Sequence, residues 1–305
     1  MQAGRMARRT IAILRWLFTP AAVLFLAWAA YRSRDAFQTV VAQAHAAPIA
    51  AAVVLWAVSH LVTPVLAWLV LRGGHTVVSY KVVLGIHARR LPSRYLPGGI
   101  WHTVSRMTDL HRMGISRTQL STLVLMENLI PLGVTMTIGG LLLCLTGDTR
   151  SPMVGAIFGG VLILASTPLV VRHRLFLDKA GLALAPYIAS VLVVAAFWTV
   201  AATAFASYWL AFPGTDVAGS LFKTYGAYLL AWAAGFAAVF APQGIGVFEW
   251  VAGLLLPGAL PVGGIAVLVA GFRAVTLAGD FLAYGVFLIC EHAIVKWDAV
   301  RTNGV

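Results

Sequence analysis

The stretch FAPQGIGVFEW, residues 240–250, interrupts an apolar chain with a proline and two glycines. The apolar run before it, residues 221–241, is long enough to cross a bilayer. The apolar piece after it, residues 247–256, would rise only about 15 Å as a helix, half of the hydrocarbon core. Non-helical backbone at membrane depth is tolerated only where protein or water surrounds it. The stretch therefore predicts an inward-pointing half-helix in a membrane protein.

A similar stretch, RYLPGGIWH at residues 94–102, lies nearly half the chain earlier. We call its Pro97, Gly98 and Gly99 the first breaker, and we call Pro242, Gly244 and Gly246 the second breaker. Interrupted segments in corresponding halves of a chain are typical of transporters whose binding site lies at a repeat interface. Because the shared Pro-x-Gly-Ile pattern is short, chance recurrence is the other explanation, and internal symmetry stays an open question.

The composition is that of an integral membrane protein: of 305 residues, 60% are hydrophobic and 10% are charged. Seven apolar runs match the roughly 20 residues that a helix needs to cross the hydrocarbon core. They cover residues 12–31, 48–71, 120–145, 153–171, 182–210, 221–241 and 265–290. The predicted fold is an all-α polytopic membrane protein with about seven transmembrane helices plus two broken or re-entrant segments.

The ends and loops predict the orientation and the domain organisation. The first run follows three arginines, and its length favours a retained signal anchor over a cleaved signal peptide. No polar stretch is long enough to bury a core of its own, so residues 1–305 are expected to form one transmembrane domain. The net charge of +12 gathers in the tails and between the runs. By the positive-inside rule it predicts a cytoplasmic N-terminus rather than a nucleic-acid partner.

Ionisable residues within apolar runs are the main functional candidates: Glu127, Glu249, Arg273 and Asp280. Unpaired at bilayer depth, four such groups would cost about 10 kcal/mol in total. Arg273 and Asp280 are two helical turns apart and share a face that can also meet Glu249. They form either structural ion pairs or a polar pocket for a zwitterionic or anionic headgroup, which arginine is suited to bind.

Arg106 follows the first breaker directly, where it would lie at the mouth of a cavity, and it is a further candidate. The neighbouring His102 and His111 are assigned to a solvated cytoplasmic face. His60 lies inside an apolar run, where a hydrogen bond to a neighbouring helix is favoured over a proton relay.

Catalytic and cofactor signatures are absent from the sequence. The chain has no G-x-S-x-G, H-E-x-x-H or P-loop pattern, and no strand is predicted before GIGVFE that would make it a dinucleotide fingerprint. Cys144 and Cys290 lie in apolar runs without metal-ligand spacing, and they are interpreted as packing residues. We therefore expect no cofactor, no metal site and no enzymatic activity.

The quoted stretches also carry a resemblance. LPGGIWHTVSRMTDLHRMGIS, MENLIP, LLAWAAGFAAVFAPQGIGVFEWVAGLLL and GFRAVTLAGDFLAY resemble the transmembrane region of lysylphosphatidylglycerol synthases and flippases, a group that includes small stand-alone and hopanoid-associated bacterial proteins. The resemblance covers nearly the whole chain and is strongest from residue 91 onward. Its most specific part is Pro-x-Gly-x-Gly-x-x-Glu followed by an arginine.

The resemblance implies a bacterial inner-membrane lipid translocase whose intramembrane polar residues guide lipid headgroups. Motif matching transfers that role to Arg106, Glu127, Glu249 and Arg273, and helical-face geometry adds Asp280. Family members often have glycine where this chain has Gln243 and arginine where it has Phe248, which leaves the headgroup open. The large aminoacyl-transfer domain of the synthases has no counterpart in this chain.

The expected partner is a membrane lipid as substrate, and the candidate protein partners are a second copy of the chain or a membrane enzyme. Two other interpretations are kept. One is an accessory or scaffold subunit of a lipid- or glycan-modifying system, with structural buried charges. The weaker one is an intramembrane enzyme that uses one of the carboxylates as acid or base.

Overall fold

The computed structural model of the chain describes residues 40–72, 78–96, 100–147, 151–175, 184–212, 221–256 and 262–302, together with positions 24, 27, 28, 31 and 38. The first predicted span, residues 12–31, lies almost wholly outside these residues. The first breaker, Pro97, Gly98 and Gly99, also lies outside them.

The described residues are helical, and no strand occurs among them. The α-helices are α1 (Ala46–Leu71), α2 (Tyr80–Arg90), α3 (Trp101–Arg112), α4 (Arg117–Leu145), α5 (Ser151–Leu175), α6 (Leu184–Leu210), α7 (Leu221–Ala237), α8 (Val247–Leu255) and α9 (Val262–Thr302). Two short 3-10 helices cover Leu91–Tyr95 and Pro242–Gly244. This architecture confirms the predicted all-α fold.

Within the described part of the chain, five helices are long and apolar enough to cross a membrane: Ala46–Leu71, Arg117–Leu145, Ser151–Val171, Leu184–Leu210 and Gly263–Ala293. They correspond to five of the predicted runs and confirm a polytopic membrane protein. The predicted run at residues 221–241 forms the 17-residue helix α7, which ends at Ala237, four residues before the run does.

The helices pack as one bundle. Helix α9 packs on α1, α1 packs on α6, and α6 contacts α4 and α7, while α4 packs on α5 and α7. Small residues allow the closest approaches: a Cβ on Gly160 would lie 2.7 Å from the carbonyl oxygen of Gly133, and one on Gly226 would lie 3.0 Å from that of Gly139. Contacts of this kind drive helix association in lipid, where the hydrophobic effect between helices is absent.

Aromatic rings fill the centre of the bundle. Phe205 stacks on Tyr228 at 4.8 Å between ring centroids, and Phe272 contacts Phe205 edge to face at 5.1 Å. Phe248 of the half-helix α8 meets Tyr228 at 6.0 Å. The half-helix is thus anchored in the core between α7 and α9.

The polar turn before α4 follows its sequence signals. Gly114 has φ +89°, a conformation that glycine adopts without strain. Ser116 then caps α4 by accepting a hydrogen bond from the amide of Gln119 at 3.3 Å. Ser116 is therefore the N-cap residue of α4.

Candidate functional site

The second breaker turns the chain within a few residues. Gln243 has φ 53°, Gly244 φ 68° and Gly246 φ 86°, so three residues adopt the left-handed region. A Cβ on Gly244 would lie 2.8 Å from the Cα of Gly235 in α7, so both sterics and backbone conformation require glycine there. Helix α8 then runs from Val247 to Leu255, which confirms the predicted half-helix.

Glu249 ties this turn together from inside the protein. Its side chain is buried, one carboxylate oxygen accepts the amide N–H of Gly246 at 2.6 Å, and the other accepts Nε–H of Arg273 at 2.6 Å. The carboxylate lies in the first turn of α8, where the helix dipole favours negative charge. Glu249 therefore both caps the half-helix and joins it to α9.

Arg273 binds the breaker at a second point. Its guanidinium donates to the carbonyl oxygen of Gln243 at 3.3 Å and lies over the ring of Phe248 at 5.8 Å. About a third of the side chain, 36%, is exposed. Arg273 thus has one face on Glu249 and another that remains accessible.

Asp280 forms a second centre, which we call the Asp280 cluster: Trp56, His60, Arg94, Tyr95 and Asp280. One carboxylate oxygen accepts Trp56 Nε1–H and contacts His60 Nε2, each at 2.7 Å. The other accepts Arg94 at 3.0 Å and the Tyr95 hydroxyl at 2.9 Å. Burial, then the Asp280 carboxylate, raises the pKa of Tyr95, so its hydroxyl remains the donor.

The partners of Asp280 differ from those predicted. The sequence predicted that Arg273 and Asp280 share a helix face that also meets Glu249, either as structural ion pairs or as one polar pocket. In the structure Glu249 pairs with Arg273. Asp280, two turns further along α9, instead contacts α1 and the 3-10 helix Leu91–Tyr95. The predicted pocket of one cation beside two carboxylates is therefore wrong, because the structure divides these groups between two centres.

Arg106 and Glu127 form the third centre. The Arg106 guanidinium donates twice to the Glu127 carboxylate, at 2.6 Å and 3.4 Å, and joins α3 to α4. The Arg106 side chain is 5% exposed and that of Glu127 16%. This pair stands at one side of a cavity of about 210 Å³ between α1, α3, α4, α6 and α7.

The lining of the cavity combines a few polar groups with many apolar ones. Arg106, Glu127 and Thr63 supply its polar groups. The other lining residues are apolar or aromatic: Val62, Leu66, Pro131, Val193, Val194, Phe197, Trp198, Trp232 and Phe236. Such a cavity offers an ion pair and an apolar surface to the same molecule, which suits an amphipathic ligand.

The histidines are the residues that sequence reasoning undervalued. His60 does bond a neighbouring helix, as expected, but its other ring nitrogen contacts Nε2 of His87 at 3.1 Å. His102 packs edge to face on His87 with ring centroids 5.4 Å apart. Burial, then the guanidinium of Arg106, lowers the pKa of His102 to about 2. The assignment of His102 to a solvated face is wrong; His111 is exposed, as predicted.

Two further ion pairs lie outside these centres. Arg90 binds both carboxylate oxygens of Asp109, at 2.7 and 3.0 Å, and this hydrogen bond raises the pKa of Arg90. Arg89 pairs with Glu291 of α9, and the Arg89 side chain is mostly exposed. Among the described residues, no group of three or more His, Cys, Asp and Glu is arranged to hold a metal ion.

Comparison with known proteins adds no relative. No protein-family model matches the chain, and no curated protein matches it. The resemblance to lysylphosphatidylglycerol synthases and flippases is therefore carried by the quoted motifs alone.

Proposed function

We propose that this chain is a flippase-like lipid translocase of the bacterial inner membrane, similar to the transmembrane region of lysylphosphatidylglycerol synthases. The observation that carries the proposal is the cavity beside the Arg106–Glu127 pair. A lipid needs a polar site for its headgroup and an apolar route for its acyl chains, and the lining of this cavity supplies both. The multi-pass helical bundle around it supplies the membrane setting.

In this proposal Arg106 is the headgroup contact. Its guanidinium donates to Glu127, and a phosphate of a headgroup can take over these donors in the same bidentate geometry. Glu127, which is more exposed than Arg106, would turn toward a cationic or zwitterionic part of the headgroup. Exchanging one charged partner for another avoids the cost of an unpaired charge in hydrocarbon.

Glu249 and Arg273 act in this proposal at the second breaker. They hold the half-helix against α9, and the accessible face of Arg273 offers a further cationic contact along the route. The proposed substrate is a membrane phospholipid that passes between the two leaflets, and the N-terminus lies in the cytoplasm with the basic loops.

The proposal is tested with the full chain in liposomes. Fluorescent phosphatidylglycerol in the inner leaflet becomes accessible to an external quencher only after it crosses the bilayer. Wild type should raise the crossing rate well above that of protein-free vesicles. Arg106→Gln and Glu127→Gln should lower the added rate at least tenfold, about 1.4 kcal/mol in barrier.

Arg89→Gln is the matched control. It also removes one arginine from an ion pair with a glutamate, but at an exposed position away from the cavity. It should move lipid as wild type does. The proposal fails if wild type moves neither phosphatidylglycerol nor aminoacylated or zwitterionic phospholipid faster than empty vesicles.

The second candidate is an accessory or scaffold subunit, and the pairing of the buried charges favours it. Among the described residues the buried side chains of Arg106, Glu249 and Asp280 each have an oppositely charged partner. Pairs of this kind also hold helices together without any transport. A wild-type protein that moves no lipid but co-purifies with a membrane enzyme would support this candidate.

A further inference from the structure

Three histidines from three helices line up behind Asp280. His60 of α1 contacts the carboxylate through Nε2 at 2.7 Å, and its Nδ1 lies 3.1 Å from Nε2 of His87 in α2. His102 of α3 packs on the His87 ring, one helical turn from Arg106. His60 is 5% exposed and His87 2%. We call these four residues, Asp280 and the three histidines, the histidine chain.

Buried imidazoles that contact each other must agree on which nitrogens carry protons. If His60 is neutral with its proton on Nε2, it donates to Asp280 and its Nδ1 accepts Nε2–H of His87. If His60 is cationic, both of its nitrogens donate, and His87 carries its single proton on Nδ1. The observed distances fit both arrangements, so the histidine chain can gain or lose one proton without moving a heavy atom.

The histidine chain includes two buried nitrogen atoms that lack a hydrogen-bond partner. Within the described structure, Nδ1 of His87 and Nε2 of His102 are both buried and both unpartnered. A purely structural hydrogen-bond network satisfies its buried polar atoms, because an unsatisfied one is costly. The unpartnered Nδ1 of His87 is instead suited to receive a proton.

We propose that the histidine chain is a proton-binding relay. A proton that it takes up comes to rest on His60, and this protonation weakens the contact between Asp280 and Arg94. The proton binds Nδ1 of His87, which has no hydrogen-bond partner among the described residues and whose ring packs on the partly exposed His102. His87 then gives its Nε2 proton to Nδ1 of His60, 3.1 Å away. His87 ends neutral, and His60 ends as an imidazolium beside the Asp280 carboxylate.

The charges around the chain select His60 as the place where the proton stays. The groups that face it are Trp56 of α1, Arg94 and Tyr95 of the 3-10 helix, Arg106 of α3 and Asp280 of α9. Burial, then the Arg106 guanidinium, holds the pKa of His87 well below its usual value, and the same causes act on His102. His87 therefore passes a proton to His60 without keeping it, whereas His60 faces the negative charge of Asp280.

Proton uptake changes the link between the breakers. Asp280 holds Arg94, which lies just before the first breaker, and the carbonyl of Arg94 accepts a weak bond from Gln243 at the second. With His60 cationic, two cations share one carboxylate, and their mutual repulsion weakens the Arg94 contact. A proton on His60 thus loosens the segment that leads into the first breaker.

The proton site is tested without reference to transport. The full chain, labelled with ¹⁵N-histidine and placed in lipid nanodiscs, is followed by NMR between about pH 5 and 8, where histidines change charge. The signal that His60→Gln removes should change from neutral to imidazolium in this range, and His87→Gln should alter that change. His111→Gln, at an exposed histidine outside the chain, should leave it intact. A His60 signal that stays in one form throughout overturns the proposal.

The coupling rests on the proposed lipid translocation and has its own readout. In liposomes that carry a tenfold proton gradient, wild type should move fluorescent phosphatidylglycerol several-fold faster in one gradient direction than in the other. His60→Gln should abolish this difference, whereas His111→Gln should not. Lipid movement that ignores the gradient refutes the coupling alone, whereas the absence of lipid movement at any pH refutes the proposed function.

Discussion

Removing Arg273 should destabilise the protein more than removing its partner Glu249. Glu249 is fully buried, and without Arg273 its carboxylate keeps only the Gly246 amide as a donor. Breaking a buried ion pair from one side costs about 3 to 5 kcal/mol, because the remaining charge is uncompensated. We therefore expect Arg273→Gln to lower the free energy of unfolding by about 3 to 5 kcal/mol.

Glu249→Gln leaves Arg273 without its carboxylate, and Arg273 is partly exposed to solvent where Glu249 is buried. Arg273 is 36% exposed, so water can hydrate its unpaired guanidinium, and the introduced amide oxygen still offers it one acceptor. The expected loss is smaller, about 2 to 3 kcal/mol, from the pair and the mismatched amide at the half-helix N-terminus. The double variant should cost less than the sum, since the two residues act on the same contact.

The assay is reversible unfolding in mixed detergent micelles, followed by circular dichroism. Arg89→Gln is the control, because Arg89 is 57% exposed and its pair with Glu291 should contribute at most about 1 kcal/mol. If Arg273→Gln costs no more than Arg89→Gln, the pair does not hold the half-helix in the core. An equal loss for both single variants would contradict the burial asymmetry.

Three further predictions concern the neighbouring elements. Gly244→Ala should cost at least about 2 kcal/mol of unfolding free energy, from left-handed strain and the approach to Gly235, whereas Gly155→Ala, with open space around it, should be neutral or stabilising. Trp56→Phe keeps the ring but removes the hydrogen bond to Asp280, and it should cost about 1.5 to 3 kcal/mol in the same assay. The pKa of His102 is about 2 in the folded protein and near 6.5 in the unfolded chain. Between these two pH values the unfolded chain binds more protons, so the free energy of unfolding falls as the pH falls. His102→Asn should remove up to about 1.4 kcal/mol per pH unit of this dependence, measured by unfolding the protein at several pH values.

Much of the fold could be predicted from the sequence, because an apolar chain in a bilayer must form helices long enough to cross it. Runs of about 20 apolar residues predict spans from length alone, and the described spans follow them. The half-helix was equally predictable, since Pro242 and two glycines stop α7 before a segment too short to cross. The early end of α7 at Ala237 was not, because it depends on the close contact between Gly235 and Gly244.

The pairing of the charges could be predicted only in part. The prediction that Arg273 could meet Glu249 of the neighbouring half-helix is confirmed. Asp280 lies on the same helix, but its partners come from residues 56, 60, 94 and 95, more than 180 positions away. Periodicity within one helix holds no information on such contacts. The same limit hid the histidine chain, whose members lie on different helices and look unremarkable singly.

If lipid crosses through the cavity, a side chain that fills the cavity should stop the crossing. Val193 of α6 lines the cavity, whereas its neighbour Leu192 is 63% exposed on the outer side of the same helix. Val193→Trp fills the cavity while every charged residue is kept, and Leu192→Trp adds the same ring outside it. In the liposome assay we predict that Val193→Trp reduces lipid crossing to the level of empty vesicles while Leu192→Trp crosses lipid as wild type does. Equal crossing rates for a correctly folded Val193→Trp and wild type would contradict a lipid route through this cavity.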